Sequence, residues 1–269
     1  MFWVRLRSGV ILLAAAVALL VAGGTVMSLG ILAVSLQGMW ELYRVMGLDK
    51  KKISALGYAA AAGWFAALFF HREDLLLPVV VFFLLLLLTV YVISYPACEA
   101  PQLLAAFFGF FYVAVMLSYM VQIRSLENGE YLVWLVFICS WGCDTCAYCA
   151  GMLFGKHKMA PVLSPKKSVE GAIGGVIGAA LIGAVFALAF RAHLSIFRYP
   201  AVSLALIGAA GGLISMVGDL AASAIKRQYG IKDYGTLIPG HGGILDRFDS
   251  VIITAPLVYY LILLLQGIA

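Results

Sequence analysis

Charge is what this chain has least of. Only 12% of its 269 residues are Asp, Glu, Lys or Arg, whereas 64% are hydrophobic, and the mean hydropathy is +1.04. A soluble domain carries about 25% charged residues, so the composition excludes an ordinary soluble fold and points to a polytopic membrane protein. There is no low-complexity linker, no short repeat and no polar block large enough for a separate soluble domain. The five cysteines also lack a metal or disulfide framework. Cys139, Cys143, Cys146 and Cys149 form a helical stripe, but an iron–sulfur pattern needs a fourth nearby Cys followed by Pro, and none follows. Asp144 lies about 100–160° around the helix from Cys143, Cys146 and Cys149. Small buried thiols packed against another helix are therefore the expectation. Arg5 and Arg7 precede an apolar run that outlasts the roughly 7–15 residues of a cleavable signal, which predicts a retained first helix.

Long apolar runs, by contrast, recur throughout. They fall near residues 9–23, 25–46, 53–70, 75–94, 101–121, 131–154, 170–190, 200–225 and 250–268, each near the length that crosses about 30 Å of hydrocarbon. The predicted fold is an all-α, polytopic integral membrane protein with about nine transmembrane helices. It is read as one membrane domain over 1–269, with N-terminal helices over 1–125 and catalytic helices and cytoplasmic loops over 126–269. With the N-terminus inside, fourteen of the 18 Lys and Arg residues fall in inner loops and ends. These are Arg5, Arg7, Arg44, Lys50, Lys51, Lys52, Lys156, Lys158, Lys166, Lys167, Lys226, Arg227, Lys232 and Arg247. The outer loops hold only Arg72, Arg124, Arg191 and Arg198. This positive-inside asymmetry places the loops 155–169 and 226–249 in the cytoplasm. It accounts for the net charge of +5 without a nucleic-acid partner.

Three elements carry polarity that helix packing does not require. Asp144 sits deep in a predicted span, where an unpaired carboxylate is costly; a structural hydrogen bond, a cation or a water-lined cavity would each answer that cost. The inner loop FGKHKMAPVLSPKKSVEG gathers Lys156, Lys158, Lys166 and Lys167 around two Pro-containing turns, directly before a helix start. It reads either as a positive-inside loop or as an anion nest. The segment 219–249 is the richest. Asp219, Ser223, Lys226 and Arg227 share one helix face. The turn Pro239-Gly240-His241-Gly242-Gly243 follows, and then Asp246, Arg247 and Asp249 open the last helix. Capping competes as an explanation for the last two acids, although a cap needs one acid rather than two with His and Arg. For His241, metal ligand, general base, phosphate donor and turn residue all remain open, with phosphate or substrate contact favoured because hard Mg²⁺ prefers oxygen ligands. Gly171, Gly174, Gly175 and Gly178, with Gly208, Gly211 and Gly212, give small-residue spacings that suit close helix packing and would also suit a homodimer.

At these residues the chain resembles the phosphatidate cytidylyltransferase, or CDP-diacylglycerol synthase, family. The stretch SAIKRQYGIKDYGTLIPGHGGILDRFD, from Ser223 to Asp249, matches the family signature along its length. The upstream WGCDTCAYCAGMLFGKHKMAPVLSPKKSVEGAIGG resembles a second block, with Cys146 where Gly is usual; Ala222 stands where related sequences often carry Glu. The resemblance implies an all-helical membrane fold, usually dimeric, that converts CTP and phosphatidate into CDP-diacylglycerol and pyrophosphate. On that basis Asp219 and Asp246 hold the principal Mg²⁺, Asp144 and Asp249 assist, and the four acids leave room for a second cation. Lys167, Lys226 and Arg227 bind phosphates, and Ser223, His241 and Arg247 complete the substrate contacts. The implied place is the inner membrane, among its lipids, with the site facing the cytoplasm. A CTP-dependent lipid kinase, a cytidylyltransferase for another lipid phosphate, and a transporter are the competing readings.

Overall fold

The computed structural model describes residues 2–49 and 51–266, without the side chains of Phe2, Val4 and Arg5. Lys50 and the Arg5 side chain, both counted above among the inner cations, lie outside the described residues. The helices run in order α1 (Phe2–Ala22), α2 (Gly24–Val45), α3 (Lys52–Phe69), α4 (Leu76–Ile93), α5 (Ala100–Gly109), α6 (Met116–Arg124), α7 (Gly129–Leu132), α8 (Trp134–Phe137), α9 (Cys143–Phe154), α10 (Val169–Ala189), α11 (Pro200–Gln228) and α12 (Leu245–Gln266). Among the described residues, eight helices or runs of abutting helices are long and apolar enough to cross a membrane, and Leu6–Ala22 adds a shorter apolar segment. The protein is an all-α polytopic membrane protein.

Two predicted spans are not continuous α-helices. Phe110–Val115 between α5 and α6, and Ile138–Gly142 between α8 and α9, are π turns. Such one-turn widenings interrupt helices mainly where function or packing demands a shifted face, and apolar periodicity carries no sign of them. The loop between α9 and α10 holds a short hairpin that the sequence reading did not foresee. Strands β1 (Lys158–Ala160) and β2 (Ser164–Ser168) pair antiparallel, Lys158 facing Ser168 and Ala160 facing Ser164.

The chain forms two compact units, one of residues up to Val121 together with Asp233–Arg247, the other of Gln122–Lys232 together with Phe248 onward. The core of the first is built around Tyr43, wholly buried, whose hydroxyl donates to the Ala106 carbonyl at 2.6 Å. Gly57 and Gly109 lie against its ring, where a methyl group at either would collide with it. Trp64 Nε1 donates to Ser118 Oγ at 2.8 Å, so its one polar atom is satisfied within the apolar core.

In the second unit, α9, α10 and α11 pack through small residues. A methyl at Gly174 would collide with Ala150 and one at Gly178 with Cys146, both on α9; a methyl at Gly208 of α11 would strike the Ala179 backbone of α10. The glycine faces are thus filled within one chain, so they do not serve the dimer contact considered above. Cys139 and Cys143 are buried, their thiols directed at the carbonyls of Ile207 and Gly212 on α11, each at 3.5 Å. Cys149 is exposed and Cys146 half-buried, so the expected buried stripe holds for only its first half. Three-residue spacing falls short of the 3.6-residue turn, so the stripe rotates by about 60° at each step and leaves the α11 contact. All five cysteines are free.

Candidate active site

In the second unit the π turn Ile138–Gly142 delivers the chain directly into Cys143 and Asp144 at the start of α9. Cys143 turns into the packing against α11 and Asp144 turns the other way, into a cavity of about 410 Å³. The opposite wall comes from the end of the β hairpin and the start of α10. Ser168 ends β2 and caps α10, its hydroxyl accepting the Gly171 N–H at 3.1 Å. The helix start that backs the predicted anion nest is therefore present, with its Val169 N–H given to the His157 carbonyl and its Gly171 N–H to Ser168. Glu170 holds the hairpin closed, its carboxylate accepting the N–H groups of Lys156 at 3.1 Å and His157 at 3.2 Å, with His157 Nδ1 2.6 Å away.

The cavity lining is of two kinds. Asp144, Lys166, Lys167, Ser168 and Asp219 contribute charged and polar groups, whereas Tyr148, Met152, Met159 and Met216 contribute apolar surface. Lys167 Nζ pairs with Asp219 Oδ2, and their side chains are 24% and 27% exposed. Seven residues after Asp219, Lys226 Nζ lies 4.0 Å from Asp249 Oδ2, with both side chains nearly buried. Partly buried pairs are screened much less than open-surface pairs. Both lysines are thus held by carboxylates that an incoming phosphate would compete with.

Close helix approach makes the second pair possible: a methyl at Gly218 would lie 3.0 Å from the Asp249 carbonyl oxygen. Ser223, one turn beyond Asp219, is half-buried, and Arg227 is exposed, its Nη1 donating to the Ile231 carbonyl at 3.4 Å. The helix stops there by a left-handed cap. Gly230 has φ +67°, its N–H donates to the Arg227 carbonyl at 3.1 Å, and the Ile231 N–H donates to the Lys226 carbonyl at 2.9 Å.

The other three predicted site residues belong to the first unit. Asp246 is buried, and its Oδ2 accepts the N–H of Tyr234 at 2.8 Å and of Gly243 at 2.9 Å. These bonds draw the segment 233–246 into a closed loop. Gly242 has φ +88°, and a methyl there would approach Asp246 Oδ2 to 2.8 Å, so only glycine fits. Inside the loop the Ile238 N–H donates to the Gly242 carbonyl at 2.8 Å and the His241 N–H to the Ile238 carbonyl at 2.9 Å, the tight turn expected from the sequence. Among the described residues, the buried His241 Nδ1 has no hydrogen-bond partner. Arg247 follows Asp246 in the first turn of α12 and is half-buried. From the far side, Arg44 Nη2 donates to the Tyr234 carbonyl at 2.9 Å.

One residue escaped the sequence reading. Glu41 is the single acid of α2 and is fully buried, with the N–H groups of Ile244 and Leu245 donating to its carboxylate at 3.0 and 2.8 Å. A lone carboxylate in an apolar span was the available signal, hidden by its proximity to the helix end and Arg44. The apolar wall of the cavity was not legible either, because its Met and Tyr residues are indistinguishable in sequence from lipid-facing ones.

The donor set suits a divalent metal. Asp144 and Asp219 present hard carboxylate oxygens to one cavity, and Mg²⁺ typically takes one or two carboxylates, completing its shell with water and substrate phosphates. Among the described residues no three His, Cys, Asp or Glu side chains form a ready-made metal cluster.

Residues 3–265 match the protein family described as "Cytidylyltransferase family". A phosphatidate cytidylyltransferase of Synechocystis is 43% identical over 142 residues, covering 53% of this chain and 46% of that relative. One from Bacillus subtilis is 39% identical over 154 residues, covering 57% of this chain and 55% of the relative. One from Rickettsia typhi is 38% identical over 152 residues, covering 56% and 67%. The chain spans about half the length of the first two of these curated relatives.

Proposed function

The chain belongs to the cytidylyltransferase family, and from that premise we propose that it transfers the cytidylyl group of CTP to phosphatidate, giving CDP-diacylglycerol and pyrophosphate. The carrying observation is a cavity lined both by charged groups, Asp144, Lys167 and Asp219, and by the apolar side chains of Tyr148, Met152, Met159 and Met216. That combination suits a substrate with an anionic head and an apolar body. The names of the relatives point to the same lipid.

Phosphatidate brings its own nucleophile. One of its phosphate oxygens attacks the α-phosphorus of CTP, the new P–O bond forms, and the bond to the β-phosphate oxygen breaks to release pyrophosphate. No serine or cysteine nucleophile is needed. The obstacle is bringing two anions together, so positioning and charge neutralisation dominate. Lys167 and Lys226 leave their carboxylate partners to bind phosphate oxygens, and Arg227, exposed at the end of α11, adds a further cation. Ser223 lies on the same face to donate to a phosphate or ribose oxygen.

Mg²⁺ would be held by Asp144 and Asp219, with Asp249, which faces Lys226 of the helix that carries Asp219, assisting, and would offset the charge developing on the phosphates. The sequence pairs Asp219 with Asp246 as principal ligands. Asp246 Oδ2 is engaged by two backbone N–H groups, so we assign the first place to Asp144 instead. Asp246 keeps a supporting role. His241, whose buried Nδ1 has no partner among the described residues, and Arg247 are proposed phosphate contacts on the strength of the signature. The remainder of the proposal is an inner-membrane location with the N-terminus and the loops 155–168 and 229–244 in the cytoplasm, and a homodimer joined through faces other than the glycine stripes.

The deciding experiment incubates the purified protein with CTP, Mg²⁺ and phosphatidate in mixed micelles, following liponucleotide and pyrophosphate. Equimolar formation of both is expected. CDP with a newly phosphorylated lipid would instead mark a kinase, and CTP-independent lipid flux in liposomes would mark a transporter.

A further inference from the structure

Glu41 lies one turn from the end of α2 and is completely buried. Its carboxylate reaches the start of α12, 203 residues away in sequence, where Oε1 accepts the Ile244 N–H and Oε2 accepts the Leu245 N–H. Gln37, one turn earlier on α2, donates its Nε2 to Oε1 at 3.3 Å. The first N–H groups of a helix lack intrahelical partners, and a neighbouring side chain normally satisfies them. Here an acid from a distant helix takes that place and adds a negative charge where the helix dipole favours one.

The loop is shaped around this carboxylate. A methyl group at Gly243 would collide with all three atoms of the Glu41 carboxyl group, and one at Gly235 would come within 2.7 Å of Oε1. Gly243 does not need a left-handed conformation, since its φ is not positive, so its lack of a side chain answers to close neighbours, the nearest of them the Glu41 carboxylate. The Gly243 N–H meanwhile donates to Asp246 Oδ2. Gly243 is therefore gripped from two sides, its body by Glu41 and its N–H by Asp246. Displacing the first acid displaces the second.

We propose that Glu41 is a positioning residue for the transfer reaction: without touching substrate, it fixes the start of α12 and the Gly243 turn so that Asp246 and the His241 turn keep their working geometry. This inference rests on the cytidylyltransferase reading above. Glu41→Gln preserves size but turns one acceptor into a donor facing a backbone N–H. It is expected to lower kcat roughly 10²-fold, the loss typical of a small misplacement of catalytic groups, while the KM values for CTP and phosphatidate stay at wild type. Gly243→Ala should reproduce that loss by pushing the carboxylate aside. The double variant Glu41→Ala/Gly243→Ala should be no slower than Glu41→Ala alone, because the added methyl enters the space the acid has left.

Wild-type kcat in Glu41→Gln or in Gly243→Ala overturns the inference. So does a rise in KM at constant kcat, which would make Glu41 a substrate contact, and so does a double variant whose losses multiply. If Glu41→Ala does not fold, Glu41→Gln and Gly243→Ala, checked by elution volume and Tm, decide the matter between them. A wild-type protein that forms no liponucleotide under the same conditions refutes the assigned reaction, an outcome distinct from an active wild type with unaffected variants.

Discussion

Asp219→Asn separates a catalytic charge from a structural one. Asn keeps nearly the same size and one carbonyl oxygen, so the Lys167 ammonium still finds an acceptor, but the negative charge is lost. The stability cost follows from the setting of the pair. With 27% of the Asp219 side chain and 24% of that of Lys167 exposed, the pair sits nearer the partly exposed than the deeply buried regime, where such pairs contribute about 0–1 kcal/mol. A loss of that size shifts Tm by no more than about 2–4 °C for a chain of this length class. It leaves almost all of the protein folded when total stability is on the order of 5–15 kcal/mol. Removing one element that stabilises developing charge costs roughly 10²–10³ in rate, about 2.7–4 kcal/mol. The two costs differ enough to be told apart. Liponucleotide formation from labelled CTP, measured across a Mg²⁺ titration and beside a thermal melt in the same detergent, should show kcat reduced by that factor with Tm nearly unchanged. Turnover at the wild-type rate in limiting Mg²⁺ would show that Asp219 serves structure and that Asp144 and Asp219 do not form the cation site.

Lys167→Ala and Lys226→Ala should each weaken turnover, with Lys→Arg restoring only part of it because a planar fork replaces a compact ammonium; full activity of both Ala variants, in the same assay, would reduce these lysines to topology determinants. Membrane-impermeant thiol reagents applied from the cytoplasmic side should label Ser164→Cys and Thr236→Cys in a background without exposed thiols, while Asn128→Cys should react from the opposite side. Labelling of position 236 from the outer side would reverse the proposed orientation. Gly208→Val should loosen the α10–α11 contact, since even its first carbon would strike the Ala179 backbone; overpacking of this kind costs about 1–3 kcal/mol, and a Tm equal to wild type would contradict the packing described.

What could be read from the residues alone was set by bulk solvation and local chemistry. Apolar runs of bilayer length have few alternatives to helices, because backbone polar groups in hydrocarbon must be satisfied within the segment, and so the spans, the Gly-His-Gly turn and the α11 face bearing Asp219 and Lys226 were all legible. The two π turns were not, since a one-residue widening leaves hydropathy unchanged, and the β hairpin was hidden behind prolines and lysines that read as loop. Only tertiary structure decided which charges meet. Lys167 pairs with Asp219, Lys226 with Asp249, and Asp246 spends an oxygen on the Tyr234 and Gly243 amides. Tertiary structure also assigned the segment Asp233–Arg247 to the unit of the N-terminal helices, through a buried Glu41 that no motif contains. Periodicity reports which way a side chain faces on its own helix; it carries no information about which distant N–H or ammonium group will be waiting there, because that depends on how the helices pack.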